Sequence, residues 1–360
     1  MKLDGQQSSS IYIHIPFCKR ECYYCNFSKL KYESGRVKEY NKFLCDELIL
    51  RGEEGTKVQT IYFGGGSPAI IRNEYLENII DTIHDNFNTG NVSEMTIEIN
   101  PEECISDKLT FLKNLGFNRI SIGVQSFNKN DLKYLSRNHT AVQSEKAVEK
   151  AGKAGFENIS VDFIIGLPNQ TCSDLKKNIA MISSYNVPHV SAYILEGVKN
   201  FLGRNIPDSE HQSLLYQYFR EEAAANGFKQ YEVSNFCKSG KVSKHNLRYW
   251  QGEEYIGTGL SASGYKAGID YKNYSNMKTY TKLISNKQLP IQESERHDTD
   301  KRNLITGFRL VNGIDKRIVG IYEKKIKELV NEGLITETKH TYKIAPKNLI
   351  LLNEILVYLL

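Results

Sequence analysis

The chain has 360 residues, 40% hydrophobic and 25% charged, with 8 prolines and a formal charge of +5. This is the composition of an ordinary soluble protein with room for one large domain and a smaller one, and the charge is too modest to imply a nucleic-acid partner. Seven cysteines, an odd number with three clustered, argue against a secreted disulfide scaffold and for a reducing compartment. Met1 to Ser10 is polar and lacks the apolar core of a signal peptide. No window reaches the roughly 18 to 20 apolar residues that a membrane span needs. The expectation is a cytoplasmic protein.

A β-branched run, Ile11 to Ile15, leads into Cys18, Cys22 and Cys25, spaced C-x3-C-x2-C. Apolar spacing then predicts a helix over Val37 to Arg51. A strand over Thr60 to Phe63 runs into Gly64-Gly-Gly-Ser-Pro68, and a helix covers Asn73 to Phe87. Strand Met95 to Ile99 is closed by Asn100-Pro101, and helix Asp107 to Leu115 is stopped by Gly116. Strand Ile120 to Gln125 precedes helices over Lys129 to Leu135 and Gln143 to Ala154. Strand Ile159 to Ile165 ends at Gly166-Leu-Pro168, helix Cys172 to Tyr185 follows, and Val190 to Ile194 is the last strand of the series. Six strands alternating with helices argue a parallel α/β sheet, with too few units for a closed eight-unit barrel. Ligands of such sheets sit at the strand C-termini.

Beyond residue 200 the rhythm stops. Ser209 to Ala225 reads as helix, Tyr231 to Phe236 as extended, and Lys244 to Ser263 as a Gly-, Tyr- and Trp-containing loop. Thr299–Phe308, Asp315–Ile318 and Ile321–Asn331 read as short helices, and Leu334–Glu337 with Tyr342–Ala345 as a paired wing. The lysines Lys324, Lys325 and Lys327 are balanced by Glu323 and Glu328, so a packing module is the better reading than a DNA binder. The apolar tail from Leu349 is a buried or docking helix. The domains expected are a core over 1–200, a linking region over 201–298 and a winged-helix-like module over 299–360.

Three thiolates on one loop can hold three irons of a [4Fe–4S] cube and leave the fourth open to a small molecule. The alternatives are a structural zinc site, with His14 or Cys45 as fourth ligand, or a disulfide. Glu98 stands inside an apolar strand, where a charge must face solvent or meet polar atoms. His245, Tyr249 and the single tryptophan, Trp250, share a glycine-rich stretch. Imidazole is a common axial ligand of haem iron, and aromatic rings supply flat apolar walls. A hydrogen-bonded structural histidine is the plainer alternative. Cys45, Cys104 and Cys172 have no ligand-like spacing.

The string Y-I-H-I-P-F-C-x3-C-x-Y-C-x-F, from Tyr12 to Phe27, resembles the radical SAM branch that contains oxygen-independent coproporphyrinogen III oxidases and HemW-type haem chaperones. The resemblance covers most of the chain. It implies a partial (βα)6 radical SAM barrel, a [4Fe–4S] cluster on Cys18, Cys22 and Cys25, and S-adenosylmethionine on the open iron. Gly64, Gly65, Gly66 and Ser67 match the motif that holds the methionine amino group. Glu98, Gln125, Arg137 and Asp162 match cofactor contacts, the last two at the carboxylate and the ribose, and Tyr12 and Tyr24 match further contacts. H-N-x-x-Y-W from His245 to Trp250, followed by Y-x-G-x-G, is similar to the HemW-type signature and makes His245, Tyr249 and Trp250 haem-site candidates.

The activity that this resemblance implies first is haem delivery to acceptor haem proteins, respiratory or storage. A coproporphyrinogen oxidase and a radical enzyme that modifies or degrades haem are the rivals. Phe27, where those oxidases carry a further cysteine, and the brief polar segment before the first strand weigh against the oxidase. The resemblance also implies an electron donor such as flavodoxin or ferredoxin. Peripheral membrane association is compatible with it, nucleic acid is not a partner, and the chain is a monomer or homodimer.

Overall fold

The structure is a computed structural model that describes residues 8–52, 55–196, 207–296 and 298–360. The start of the polar N-terminal segment, residues 1–7, lies outside them. Strand β1 (Ser8–Ile15) leads to the short strands β2 (Phe17–Cys18) and β3 (Leu30–Lys31), which bracket the cysteine loop. Alternation follows through α1 (Ser34–Arg51), β4 (Lys57–Gly65), α2 (Asn73–Asn86), β5 (Glu94–Ile99), α3 (Ser106–Asn114) and β6 (Arg119–Gln125). It continues with α4 (Lys129–Tyr134), α5 (Ala141–Lys153), β7 (Asn158–Ile165), α6 (Cys172–Ser184) and β8 (His189–Ile194). Next come α7 (Ser209–Ala225), β9 (Lys229–Glu232), β10 (Asn235–Cys237), α8 (Lys244–Trp250), β11 (Tyr255–Thr258) and β12 (Ser263–Lys266). Then follow β13 (Ile269–Asn273), α9 (Met277–Ser285), β14 (Ile291–Arg296) and α10 (Thr299–Gly307). The chain closes with β15 (Ile314–Asp315), α11 (Glu323–Asn331), β16 (Ile335–Glu337), β17 (Thr341–Ile344) and α12 (Leu352–Leu359).

Two compact units interleave along the chain. Among the described residues the first takes those up to Val161, Glu196, and Glu254–Arg296. The second takes Asp162–Leu195, the residues from Pro207 to Glu253, and those from Asp298 onward.

In the first unit β4, β5 and β6 pair in parallel in succession from β1, because each return runs through a helix. Their C-terminal ends therefore lie along one edge. The period of two sends Ile11, Ile13 and Ile15 of β1 to one face, all at most 1% exposed, and Tyr12 and His14 to the other. The register sets Tyr12 level with Tyr62, and Glu98 level with Ser121, so a polar face runs across these strands. α2 covers its unit with Leu76, Ile79, Ile80 and Ile83, an i, i+3, i+4, i+7 stripe.

Several expectations for the later chain change. The segment read as a loop over Lys244 to Ser263 holds a helix, α8, and a strand, β11, that pairs in parallel with β1 on the side away from β4. Its strand is only four residues long, too short to show a period. β12, β13 and β14 extend that side antiparallel and were not anticipated. Asp315–Ile318 is not an α-helix: Ile314–Asp315 pairs with β17, and only Lys316–Ile318 makes a 3₁₀ turn.

In the second unit β10 pairs antiparallel with both β8 and β9. Its C-terminal part has its own core, including Phe308, Ile326, Leu329, Tyr342, Leu352 and Ile355. The two strands expected to pair do so, antiparallel, with Ile335 opposite Ile344. The apolar tail buries Leu352, Ile355, Leu356 and Leu359. No helix among the described residues is long and apolar enough to cross a membrane.

Candidate functional site

The cysteine loop leaves the C-terminal end of β1 and is fixed at both ends by backbone. The Leu30 N–H donates to the Pro16 carbonyl at 2.7 Å, and the Tyr32 N–H to the Cys18 carbonyl at 2.9 Å. Within the loop the Cys25 N–H donates to the Cys22 carbonyl at 3.3 Å, and Lys29 Nζ donates to the carbonyls of Cys22 and Cys25 at 3.2 and 3.1 Å. All three thiols are free and half-buried. Burial pushes the Cys18 thiol up to about 12, and neighbouring Cys25 and Cys22 add to the effect. Burial raises Cys25 as well.

Three cysteines on one short loop, with the cations of Lys29 and Arg137 beside them, suit a cluster whose iron displaces the thiol protons. Both candidates for zinc's fourth ligand are engaged elsewhere. The His14 ring is engaged through both nitrogens, Nδ1 with the Tyr12 hydroxyl and Nε2 with the Ser28 carbonyl, each at 3.0 Å. Cys45, on α1, directs its sulfur to the Asn78 carbonyl at 3.8 Å.

The glycine run lies against this loop. The Gly66 N–H donates to the Ile15 carbonyl and the Ser67 N–H to the Phe17 carbonyl, each at 2.9 Å. A Cβ on Gly66 would stand 2.7 Å from Cys18 Sγ, so glycine is required here by the cysteine as well as by any ligand. Glu98 accepts from the Tyr62 hydroxyl at 2.8 Å and from the Gly65 N–H at 3.1 Å. Tyr12 stacks on Tyr62 with centroids 6.1 Å apart. Burial, and then the charge of Glu98, raise the Tyr12 hydroxyl well above its ordinary range.

Arg137 joins the edges. Its Nη1 donates to Cys22 Sγ at 3.5 Å and to the Tyr24 hydroxyl at 3.3 Å. Its Nη2 donates to Asn100 Oδ1 at 2.6 Å and to the Gly123 carbonyl at 2.7 Å. Burial opposes its charge, but Tyr24 and Cys22 outweigh that and hold the guanidinium ionised. Its Nε is buried without a hydrogen-bond partner. Gln125, at the end of β6, sits at φ +68°, a left-handed conformation that costs energy for a non-glycine residue and clusters at functional positions.

Sequence reasoning missed Tyr62, Asn100 and Glu103. Asn100 Nδ2 donates to Ser67 Oγ at 3.0 Å, and the Ser67 hydroxyl donates to the Glu103 carboxylate. Asn100 thus links the glycine run to Arg137. Its signal was visible as a strand-ending Asn-Pro followed by Glu103, which completes a capping box. A small cleft is lined by Cys18, Lys19, Asn100, Glu103 and Arg137 among others.

The other candidates lie in the second unit. Asp162 is half-buried on β7. Ser243 caps α8, accepting from the Asn246 N–H at 3.3 Å. Helical spacing then brings His245 and Tyr249 to one face, with His245 Nε2 2.6 Å from the Tyr249 hydroxyl. His245 is fully buried. Trp250 meets Tyr249 edge-on, and the Arg309 guanidinium, also unanticipated, stands 4.4 Å from the Trp250 ring centroid.

The model of the radical SAM superfamily matches residues 12–182. The haem chaperone HemW of Lactococcus lactis is 34% identical, over 97% of this chain and 97% of its own. The chain belongs to the HemW family of radical SAM proteins. The HemW of Bacillus subtilis is also 34% identical, over 96% of this chain and 97% of its own. The solved structure of coproporphyrinogen III oxidase (HemN) from Escherichia coli, a radical SAM enzyme, superposes with a TM-score of 0.85. It covers 98% of this chain and 90% of that one at 20% identity, which establishes the α/β radical SAM fold. Family membership implies a [4Fe–4S] cluster and S-adenosylmethionine.

Proposed function

We propose that this protein is a cytoplasmic haem chaperone that binds haem and hands it to acceptor haem proteins. The supporting observation is the end-to-end likeness to relatives named haem chaperones, at 34% identity over 97% of the chain. Cys18, Cys22 and Cys25 would hold the cluster, and the Gly64–Ser67 run the methionine end of S-adenosylmethionine. Tyr12, Tyr24, Glu98, Gln125 and Arg137 would contact that cofactor around the same edge, and Asp162 its ribose. With an electron from a flavodoxin- or ferredoxin-like donor, this pair supplies one-electron radical chemistry. His245, Tyr249 and Trp250 form the haem-site candidate. Phe27, 62% exposed where the related oxidases carry a further cysteine, weighs against a coproporphyrinogen oxidase.

Two tests arise from this reading. Glu98→Ala and Asp162→Ala should each weaken S-adenosylmethionine binding by roughly tenfold or more, the worth of a hydrogen bond to a charged group, about 1.5–3 kcal/mol. The iron–sulfur spectrum should stay as it is. Equilibrium dialysis reads the effect, and unchanged affinity in both variants removes them from the site. The second concerns Tyr249, whose hydroxyl occupies His245 Nε2. If haem iron takes that nitrogen, Tyr249→Phe removes a competitor worth about 1 kcal/mol and tightens haem binding by about fivefold. Weaker binding in a haem titration argues instead that the hydroxyl supports the site.

A further inference from the structure

The segment Tyr255-Ile-Gly-Thr-Gly-Leu-Ser-Ala262 follows the haem-site string in sequence, yet it packs beside the strand that carries the cysteine loop. β11 pairs with β1, Tyr12 level with Gly257 and Ile13 with Thr258. The turn after it is held by Glu47 of α1, which is fully buried. Glu47 Oε1 accepts from Arg51 Nε at 2.6 Å and from Asn273 Nδ2 at 2.8 Å. Its Oε2 accepts from the Gly259 N–H at 2.8 Å and from the Tyr280 hydroxyl at 2.7 Å. Four donors, one of them the Arg51 guanidinium, meet the hydrogen-bonding demand of a carboxylate buried away from water.

The turn grips both ends of the cysteine loop. Upstream, the Tyr40 hydroxyl accepts from the Leu260 N–H at 3.0 Å and donates to the His14 carbonyl at 2.6 Å. Downstream, the Ser261 hydroxyl donates to the Ser28 hydroxyl at 2.9 Å, and Ser28 in turn meets His14 Nε2 through its carbonyl. Gly259, at φ +105°, allows the approach, since a Cβ there would lie 2.4 Å from the Tyr40 hydroxyl and 2.7 Å from the His14 carbonyl oxygen. Of the Y-x-G-x-G glycines, Gly259 is thus used against the cluster side, whereas a Cβ on Gly257 would meet the Ser263 carbonyl of β12.

We infer that the Gly259–Ser261 turn, anchored on Glu47, positions the cluster loop, and that Glu47 and Ser261 are positioning residues for the [4Fe–4S] cluster. They touch no cluster ligand. Through the turn, Tyr40 and the Ser261 hydroxyl, they hold His14 and Ser28, which flank the three cysteines in the chain, and so bear on the spacing of the sulfurs. This rests on the cluster reading above.

The test uses the full chain, reconstituted anaerobically with iron and sulfide. Ser261→Ala deletes one hydroxyl and leaves the buried Glu47–Arg51 pair intact, so its thermal midpoint should match that of the unaltered protein. Its iron should pass to a chelator about tenfold faster, as for loss of other outer-shell supports of metal sites. The g-values of its reduced cluster should shift in electron paramagnetic resonance, a change that a general loss of stability does not make. Glu47→Gln, which presents a donor to donors, should move both readouts further in the same direction. Should Glu47→Gln fail to fold, Ser261→Ala decides alone. Ser261→Ala with unaltered g-values and chelation rate overturns the positioning role while the cluster reading stands. An unaltered protein that takes up no iron overturns both.

Discussion

Alanine at any one of Cys18, Cys22 or Cys25 is expected to reduce reconstituted iron from about four per chain to near zero. Three thiolates are the full set of protein ligands in this reading, and a cube that loses one is left with two open irons. The same change at Cys104 should have no such effect, since its buried sulfur points to the Asn100 carbonyl at 3.5 Å. The cysteine variants should remain folded. The loop is held by the pairing of β2 with β3 and by Lys29 on two of its carbonyls, none of which needs a sulfur. Iron and sulfide assays with anaerobic absorption spectra read the outcome. Tight stoichiometric zinc without iron contradicts it.

His245→Ala is expected to weaken haem binding by at least tenfold, about 1.4 kcal/mol, and to shift or broaden the Soret band. The axial nitrogen is lost, and with it the bond that haem iron would make to the protein. The Tyr249 hydroxyl, 2.6 Å from that nitrogen, loses its partner only in the haem-free protein, which affects stability rather than affinity. Trp250→Ala is the companion: it removes stacking surface and should lower affinity while leaving the ligand signature of the spectrum alone. The iron–sulfur absorbance should persist in both variants, because all three sulfur ligands lie in the N-terminal loop. An unaltered haem spectrum and affinity in His245→Ala makes the histidine structural and moves haem elsewhere.

Much of the fold was legible because its first half is regular. Strands such as Ile120 to Gln125 show a period of two, with Ile120, Ile122 and Val124 between Ser121, Gly123 and Gln125, and α7 has the very bounds, Ser209–Ala225, that its pattern suggests. The later strands were hidden for identifiable reasons. β14 carries Gln292, Glu293, Ser294, Glu295 and Arg296, all exposed, so it has no buried face to alternate with. α8 spans seven residues, too few for a helical period to emerge from a stretch rich in Gly and aromatic residues.

The site divides in the same way. The cysteines and the glycine run announced themselves by spacing, whereas Tyr62 reads only as one more aromatic in a strand until the pairing of β4 with β1 and β5 places it between Tyr12 and Glu98. Glu47 is the sharpest case. On α1 it looks like one solvated charge among several, yet it is buried among donors distant in sequence, Gly259 212 positions away together with Asn273 and Tyr280.

The most direct test of the account is one anaerobic incubation of reconstituted protein with haem, S-adenosylmethionine and a reductant, followed by an apo haem protein as acceptor. A parallel sample receives coproporphyrinogen III in place of haem, and all porphyrins are resolved by mass. The account predicts haem of unchanged mass in the acceptor, transfer that fails in His245→Ala, and no decarboxylated product in the parallel sample. Decarboxylated porphyrinogen, or haem of altered mass without transfer, contradicts it.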